Sequence, residues 1–211
     1  MSTPVRLRCS SLDSIMTNGR SKTGLSATAQ GVITDMVNSE LYNTPLFISN
    51  KYLSKGIKCE DDSITLFNNV FFKSLVKNEE RITNDYITGE CDLIDNDTII
   101  DIKTSWNLKT FAKQRNDTTC YEWQLRGYMW LYDKDKACTA HCLVDTPDDL
   151  CRFEQDIHKF GHIAEHDRVI IGNVIERDQE LEQLIIEKWQ ACFEFRNELI
   201  EQFKKNGREL P

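Results

Sequence analysis

Asp92, Asp101 and Lys103 are the side chains whose types and spacing could do chemistry. They fall in the stretch ITGECDLIDNDTIIDIKTSW, two runs that read as strands on either side of an Asp95-Asn96-Asp97 turn signal. Strand side chains alternate faces, so Asp101 and Lys103 point the same way while Ile100 and Ile102 point into the core. If the turn is the two-residue Asn96-Asp97, Asp92 pairs directly across from Asp101, with Cβ atoms ~4.5–5.5 Å apart. A three-residue turn breaks that register. Two carboxylates so close repel unless something positive lies between them. A hard divalent cation such as Mg2+ or Mn2+ would resolve the repulsion. Lys103 could then lower the pKa of an attacking water and steady the charge of a pentavalent phosphoryl group, which is what phosphodiester hydrolysis requires. An ordinary solvated hairpin edge shows the same alternation of Asp and Lys, so spacing alone leaves both readings open.

Stepping along the chain, a short helix starts near Ser10 or Ser11 and runs through LDSIM to Asn18-Gly19, followed by a loop carrying Arg20 and Lys22. Ser26 opens a helix to about Leu41, with Val32, Ile33, Met36, Val37 and Leu41 on one stripe. Residues from about Ser49 to Val76 read as a second long helix with a possible break at Gly56, and Ile57, Ile64, Phe67, Val70 and Phe71 could share its buried side. The two strands of the hairpin span about Asp85–Ile94 and Thr98–Thr104. Then come a helix over Trp123–Tyr132, a central strand over Ala137–Asp145, a helix around Asp148–Phe160 and a strand RVIIGNVI. A helix over about 178–205 closes the order, with Leu181, Leu184, Ile185, Trp189, Phe193 and Phe203 on one face and Gly207 as its stop. The expected fold class is α/β, a mixed central β-sheet flanked by helices, with residues 1–211 forming a single domain.

Composition sets bounds on partners. The 211 residues are 40% hydrophobic, enough for one sizeable core, and the net charge is −8. The protein as a whole does not attract nucleic acid, so DNA binding must come from a local basic surface or from metal ions that bridge carboxylates to phosphate. Mean hydropathy is −0.49 and no apolar run reaches the ~18 residues of a membrane span. With no apolar segment after the basic residues of MSTPVRLRCSS, the expected location is the cytoplasm, with the eight cysteines reduced.

Four segments in order carry a resemblance. G-x-x-D at Gly89–Asp92 followed by D-I-K at Asp101–Lys103 resembles the core signature of the PD-(D/E)xK nuclease superfamily, with Cys91 where the name has Pro. KGIKCEDDSITL resembles the family helix that carries a metal-binding Glu, and QLRGY resembles the Q-x-x-x-Y element of RecB-like and lambda-exonuclease-like (YqaJ-type) members. The resemblance covers about Arg6 to Asp145. It implies a restriction-endonuclease-like core, with Asp92 and Asp101 as central metal ligands, the Ile102 carbonyl completing the site and Glu60 binding or orienting metal-bound water. Lys103 would be the catalytic cation, Gln124 would position the site or contact DNA, and Tyr128 would pack beside it. Phage recombination exonucleases are most similar, and RLRCSS resembles their phosphate-reading segment. Arg8, Ser10 and Arg6 are thus candidates for a 5′-phosphate. SWNLKTFAKQR adds Lys109, Lys113 and Arg115, with Trp106 and Phe111 able to stack on or wedge bases.

The resulting expectation is a Mg2+- or Mn2+-dependent deoxyribonuclease acting on duplex ends, 5′ to 3′, in phage-type recombination or repair. An endonuclease of the same fold and a catalytically silent DNA-binding relative are the rivals. A single-strand annealing protein and a second copy of the chain are possible partners. His158, His162 and His166 at i, i+4, i+8 could line one helix face as zinc ligands, and Cys138-x3-Cys142 with His141 and Cys151 could hold zinc or, with Cys9, an iron–sulfur cluster. Both are set aside, because Gly161 interrupts the first set and the second sits on a core strand where thiols act as small hydrophobes.

Overall fold

In the computed structural model, residues 6–19, 24–46, 50–115, 121–151 and 155–205 are described. The chain opens on β1 (Leu7–Arg8), a 3-10 turn, and α1 (Leu12–Ile15), followed by α2 (Ala27–Leu41). The Ser26 side chain caps α2 by accepting from the Ala29 amide, as expected of Ser before a helical stripe. The long helix expected through Val76 is two helices, α3 (Lys51–Lys58) and α4 (Glu60–Phe71). They part at Cys59 rather than Gly56, and Phe72 in the left-handed region ends α4. Accordingly Ile64 and Phe67 are buried, whereas Ile57 and Phe71 are exposed.

Two β-regions follow. β2 (Ile82–Thr83) and β3 (Ile87–Gly89) join β1 in a small sheet of order β1-β3-β2. β4 (Leu93–Asp95) and β5 (Thr98–Thr104) form the hairpin that starts the larger sheet. The single strand expected over Asp85–Ile94 is therefore broken at residues 90–92, where the chain passes from one sheet to the other. α5 (Leu108–Lys113) and α6 (Glu122–Tyr132) lead to β6 (Lys136–Cys142). β6 is central: it runs parallel to β5 and antiparallel to both β7 (Val169–Ile171) and β8 (Ile175–Glu176). The expected strand RVIIGNVI is split between those two, at Gly172. A Cβ there would lie 2.4 Å from the Thr139 hydroxyl, so only glycine fits. α7 (Asp148–Cys151) and a 3-10 turn at Gln155–His158 stand where one helix was expected, and α8 (Gln179–Lys205) closes the chain. The stop at Gly207, the start at Ser49 and the loop with Arg20 and Lys22 lie outside the described residues.

β5 is buried on both faces. Ile99 joins Leu125, Tyr128, Met129 and residues of α1, α2 and α8 in one core, while Ile100 and Ile102 join Ile64, Leu66 and Phe67 of α4 in another. The sheet is thus a layer between helices, an α/β sandwich with mixed strand directions. Asp101 and Lys103 share the Ile99 face by strand alternation, which directs them at α6 rather than at water.

Candidate active site

The hairpin has the two-residue turn. Leu93 pairs with Ile100 and Asp95 with Thr98, so continuing the ladder one step sets Asp92 opposite Asp101. Asn96 enables the turn by taking a φ of 54°, a left-handed conformation Asn tolerates. Directly opposed residues project on one face, and the carboxylates are held there by different means. Asp92 Oδ2 accepts from the Ile102 amide at 2.6 Å, and the Asn78 amide holds the Asp92 carbonyl at 2.8 Å. Asp101 is 1% exposed and its Oδ1 accepts from Gln124 Nε2 at 3.2 Å.

Lys103 Nζ lies 2.7 Å from Asp101 Oδ2 and donates to Gln124 Oε1 at 3.4 Å, with the Tyr121 ring 4.3 Å away beneath it. That ion pair engages Asp101 Oδ2 while Oδ1 takes the Gln124 amide. Gln124 Nε2 also donates to the Tyr128 hydroxyl at 3.0 Å, so one amide ties together the acid, the lysine and the tyrosine.

Burial, and then the charge of Asp101, pushes the Asp92 carboxyl well above the usual carboxylate range, while the Ile102 amide and Lys103 pull it back. Burial pulls the Lys103 ammonium down, but Asp101 and then Asp92 outweigh it, and Lys103 stays protonated above its ordinary value. Two acids that disfavour each other's charge, beside a lysine that must remain charged, form a site short of positive charge.

Glu60 arrives from the other side of the sheet. It is the first residue of α4, whose Ser63 hydroxyl hydrogen-bonds the Thr104 hydroxyl at 2.8 Å on the Ile100–Ile102 face. Its charge is felt at Asp92, yet its carboxylate is paired to Lys77 at 2.9 Å. Consequently no three Asp, Glu, His or Cys side chains among the described residues converge into a metal-ligand cluster. What the structure offers a cation is Asp92, Asp101 and the edge of β5 at Ile102. In a strand the N–H and C=O of one residue face the same neighbour. The Ile102 amide meets Asp92, so its carbonyl looks to that edge as well. An all-oxygen donor set of this kind suits a hard divalent cation.

Arg8 and Ser10 line an open pocket of about 450 Å³ together with Arg81, Thr88, Glu90 and Tyr128, adjoining the catalytic face through Tyr128. Arg81 is paired to Glu90 at 3.3 Å. Arg6 is exposed and its Nε donates to the Asn84 carbonyl at 3.1 Å. Lys109 and Lys113 are exposed on α5 and Arg115 just beyond it. Trp106 and Phe111, expected to meet bases, are 8% and 2% exposed. Trp106 packs edge-on against Tyr52 and His158, so its faces are turned to protein.

Sequence reasoning missed Lys77, Arg81, Tyr121 and Asp13. Asp13 accepts the amides of Trp123 and Gln124 from 110 and 111 residues away, a contact no spacing rule reveals. His141, which spacing offers only to a zinc or iron–sulfur site, lies on β6 directly across from Lys103.

A mixed sheet whose hairpin opposes two acids beside a lysine, under a helix whose glutamine reaches Asp101 and Lys103, is the arrangement of a PD-(D/E)xK nuclease. A phage-related exonuclease from Haemophilus somnus 129PT is 31% identical to this chain, with a TM-score of 0.84 over 95% of this chain and 97% of its own. The chain belongs to the family of that protein, the phage-related, lambda-exonuclease-like nucleases. LHK-Exo, an alkaline exonuclease from Laribacter hongkongensis, shares the fold. Its two structures, one in complex with dAMP, have TM-scores of 0.67 at 18% and 17% identity and cover 96% of this chain and 93% of theirs. No family model and no curated protein sequence matches the chain.

Proposed function

We propose that this nuclease is a Mg2+- or Mn2+-dependent exodeoxyribonuclease that hydrolyses duplex DNA from its ends, 5′ to 3′, in phage-type recombination or repair within the bacterial cytoplasm. The observation that supports the metal dependence is the pair of carboxylates, Asp92 and buried Asp101, set opposite each other across the hairpin turn. Asp92, Asp101 and the Ile102 carbonyl would hold the cation, with Glu60 joining them once released from Lys77. A bound divalent cation supplies Lewis-acid polarisation of the phosphate and a more acidic water. The protein's own groups do the rest. Lys103 stays protonated and stabilises the charge on the five-coordinate phosphorus as water attacks and the P–O bond to the leaving strand breaks. Gln124 holds Lys103 and Asp101 in register, with Tyr128 behind it.

End recognition would fall to Arg8 with Ser10, and Arg6 beside them, since their pocket adjoins the catalytic face. A terminal phosphate has more charge and more acceptor oxygens than a bridging one, and a guanidinium fork suits it. Lys109, Lys113 and Arg115 would run along the duplex backbone, with Trp106 supporting that surface from beneath. An annealing protein and a second copy of the chain are the partners this role would call for. No helix among the described residues is long and apolar enough to cross a membrane.

The test compares end-labelled linear duplex with covalently closed circular duplex, each with Mg2+, Mn2+ or EDTA. Metal-dependent loss of label from linear DNA with intact circles is expected. Rapid nicking of closed circles would favour an endonuclease, and no cleavage under any condition a silent DNA-binding relative.

A further inference from the structure

We infer that Asp13 is a positioning residue for the reaction: its carboxylate caps α6 from outside that helix and thereby holds Gln124 on the catalytic acid and lysine. The inference rests on the site assignment above. An α-helix leaves its first amides without internal acceptors, and a side-chain oxygen from the residue before the helix usually receives one or two of them. Tyr121 precedes α6, sits at φ 69° and supplies no side-chain cap. The missing acceptors come from Asp13, whose Oδ1 receives the Trp123 amide at 3.1 Å and Oδ2 the Gln124 amide at 3.2 Å. Both amides belong to the first turn, where a carboxylate also meets the positive end of the helix dipole.

Packing places Asp13 there. Its neighbours Leu12 and Ile15 on α1 are fully buried in the core that holds Leu125, Tyr128 and Met129. Close approach is required, since a Cβ on Gly127 of α6 would lie 2.7 Å from Leu12 Cδ1 and 2.9 Å from Cys9 Sγ. Burial pushes the Asp13 carboxyl above its ordinary range, while the two amides and then the charge of Lys103 pull it back. The charge of Lys103 is thus felt at Asp13.

The same turn of α6 carries every contact that would loosen with the cap. Gln124 Nε2 and Oε1 reach Asp101 and Lys103, and the Tyr121 ring lies under Lys103. If the first turn frays, the Gln124 backbone is freed and both side-chain bonds lose their anchor. Asp13 also lies three residues after Ser10, so the segment that would read the DNA end is continuous with the one that holds the catalytic helix.

The experiment compares Asp13→Ala, Asp13→Asn and a control, Ser26→Ala, which removes the cap of α2 away from the site. Losing either cap should lower the melting temperature by a similar amount, since caps are alike in strength. In steady-state hydrolysis of linear duplex with Mn2+, well below melting, Asp13→Ala should lower kcat by roughly 10- to 100-fold with KM changed less than about threefold, the signature of lost positioning. Asp13→Asn, which keeps one acceptor oxygen, should recover most of that loss. In the metal-free protein, hydrogen exchange at the Trp123 and Gln124 amides should quicken in Asp13→Ala and not in Ser26→Ala. If Asp13→Ala loses no more kcat than Ser26→Ala, or if those amides stay equally protected, the inference is overturned. Lys103→Ala, run in parallel, separates this from failure of the site itself: if Lys103→Ala retains activity, the site assignment falls first.

Discussion

Lys55 and Lys103 are both withdrawn from water, and the protein treats them in opposite ways. Lys55, on α3, is completely enclosed, and its ammonium donates to three backbone carbonyls, Ser105 at 2.8 Å, Trp106 at 3.1 Å and Val144 at 2.8 Å. Three donors meet three acceptors, all main-chain, at the places where the chain leaves β5 and β6. Lys103 pairs with Asp101 at 2.7 Å, feels the charge of Asp92, and meets one side-chain amide and a ring. A buried charge whose partners are complete is a fastener. A buried charge set among groups that repel one another is prepared for something that arrives later.

The largest effect should separate the two regions by activity. Asp101→Ala and Lys103→Ala should each lower cleavage by about 1,000-fold or more while the protein melts cooperatively, because their stabilisation is needed mainly in the transition state. Near-wild-type cleavage by either purified variant would remove the catalytic half of the comparison.

Lys55→Met should do the reverse. It leaves three buried carbonyls without their donor and should cost about 3 kcal/mol of stability, read by denaturant unfolding, with most of the kcat retained in the folded fraction. Burial pushes Lys55 down to about 8 in the folded state, against the ordinary lysine value when unfolded. Over that window the unfolded chain binds more protons than the folded one, so folding gains stability as pH rises from about 8 towards 10.5. The stability gap between wild type and Lys55→Met should therefore widen with pH across that window; a flat difference would show that the carbonyls hold Lys55 at its ordinary value.

Metal addition should sharpen the contrast at the acidic site. A cation that binds only the native state raises its stability by ~2.7 kcal/mol at a hundredfold excess over Kd. Melting with millimolar Mn2+ should thus exceed melting in EDTA. Asp92→Asn or Asp101→Asn should weaken that rise, and Asp92→Asn, which relieves repulsion and leaves the Asp101–Lys103 pair intact, should increase the metal-free melting temperature. Identical melting curves with and without Mn2+ would count against a cation site.

The smallest effect concerns the neighbouring pocket. Arg8→Ala should remove most of the preference for a 5′-phosphate over a 5′-hydroxyl end, a change of ~10-fold for one charge-assisted contact, while residual cleavage persists. Full retention of the preference would transfer the role to Arg81, which lines the same pocket.

How much of this was legible in the chain follows from the range of each interaction. The Ser26 cap, α6 and the Asn96-Asp97 turn depend on neighbours in sequence, and their signals are local. So is the alternation that sets Asp101 and Lys103 on one face and, with a two-residue turn, Asp92 across from Asp101. The break at residues 90–92 was illegible because β3 and β4 pair with different partners, β1 and β5, and strand pattern alone does not state a partner. The helix break falls at Cys59, whose φ of −113° and ψ of 15° leave the helical range, and not at the glycine. Glu60 could be named by its place in a motif, but its pairing to Lys77 depends on how α4 lies over the sheet edge. Trp106 reads as a surface aromatic until Tyr52 and His158 close on it. The acids and the lysine were determined by sequence because a hairpin brings them together through its own short-range geometry. The hydrogen bonds from Asp13 to α6 and from Lys55 to the strand ends were decided only by tertiary structure, because each joins groups at least 50 residues apart.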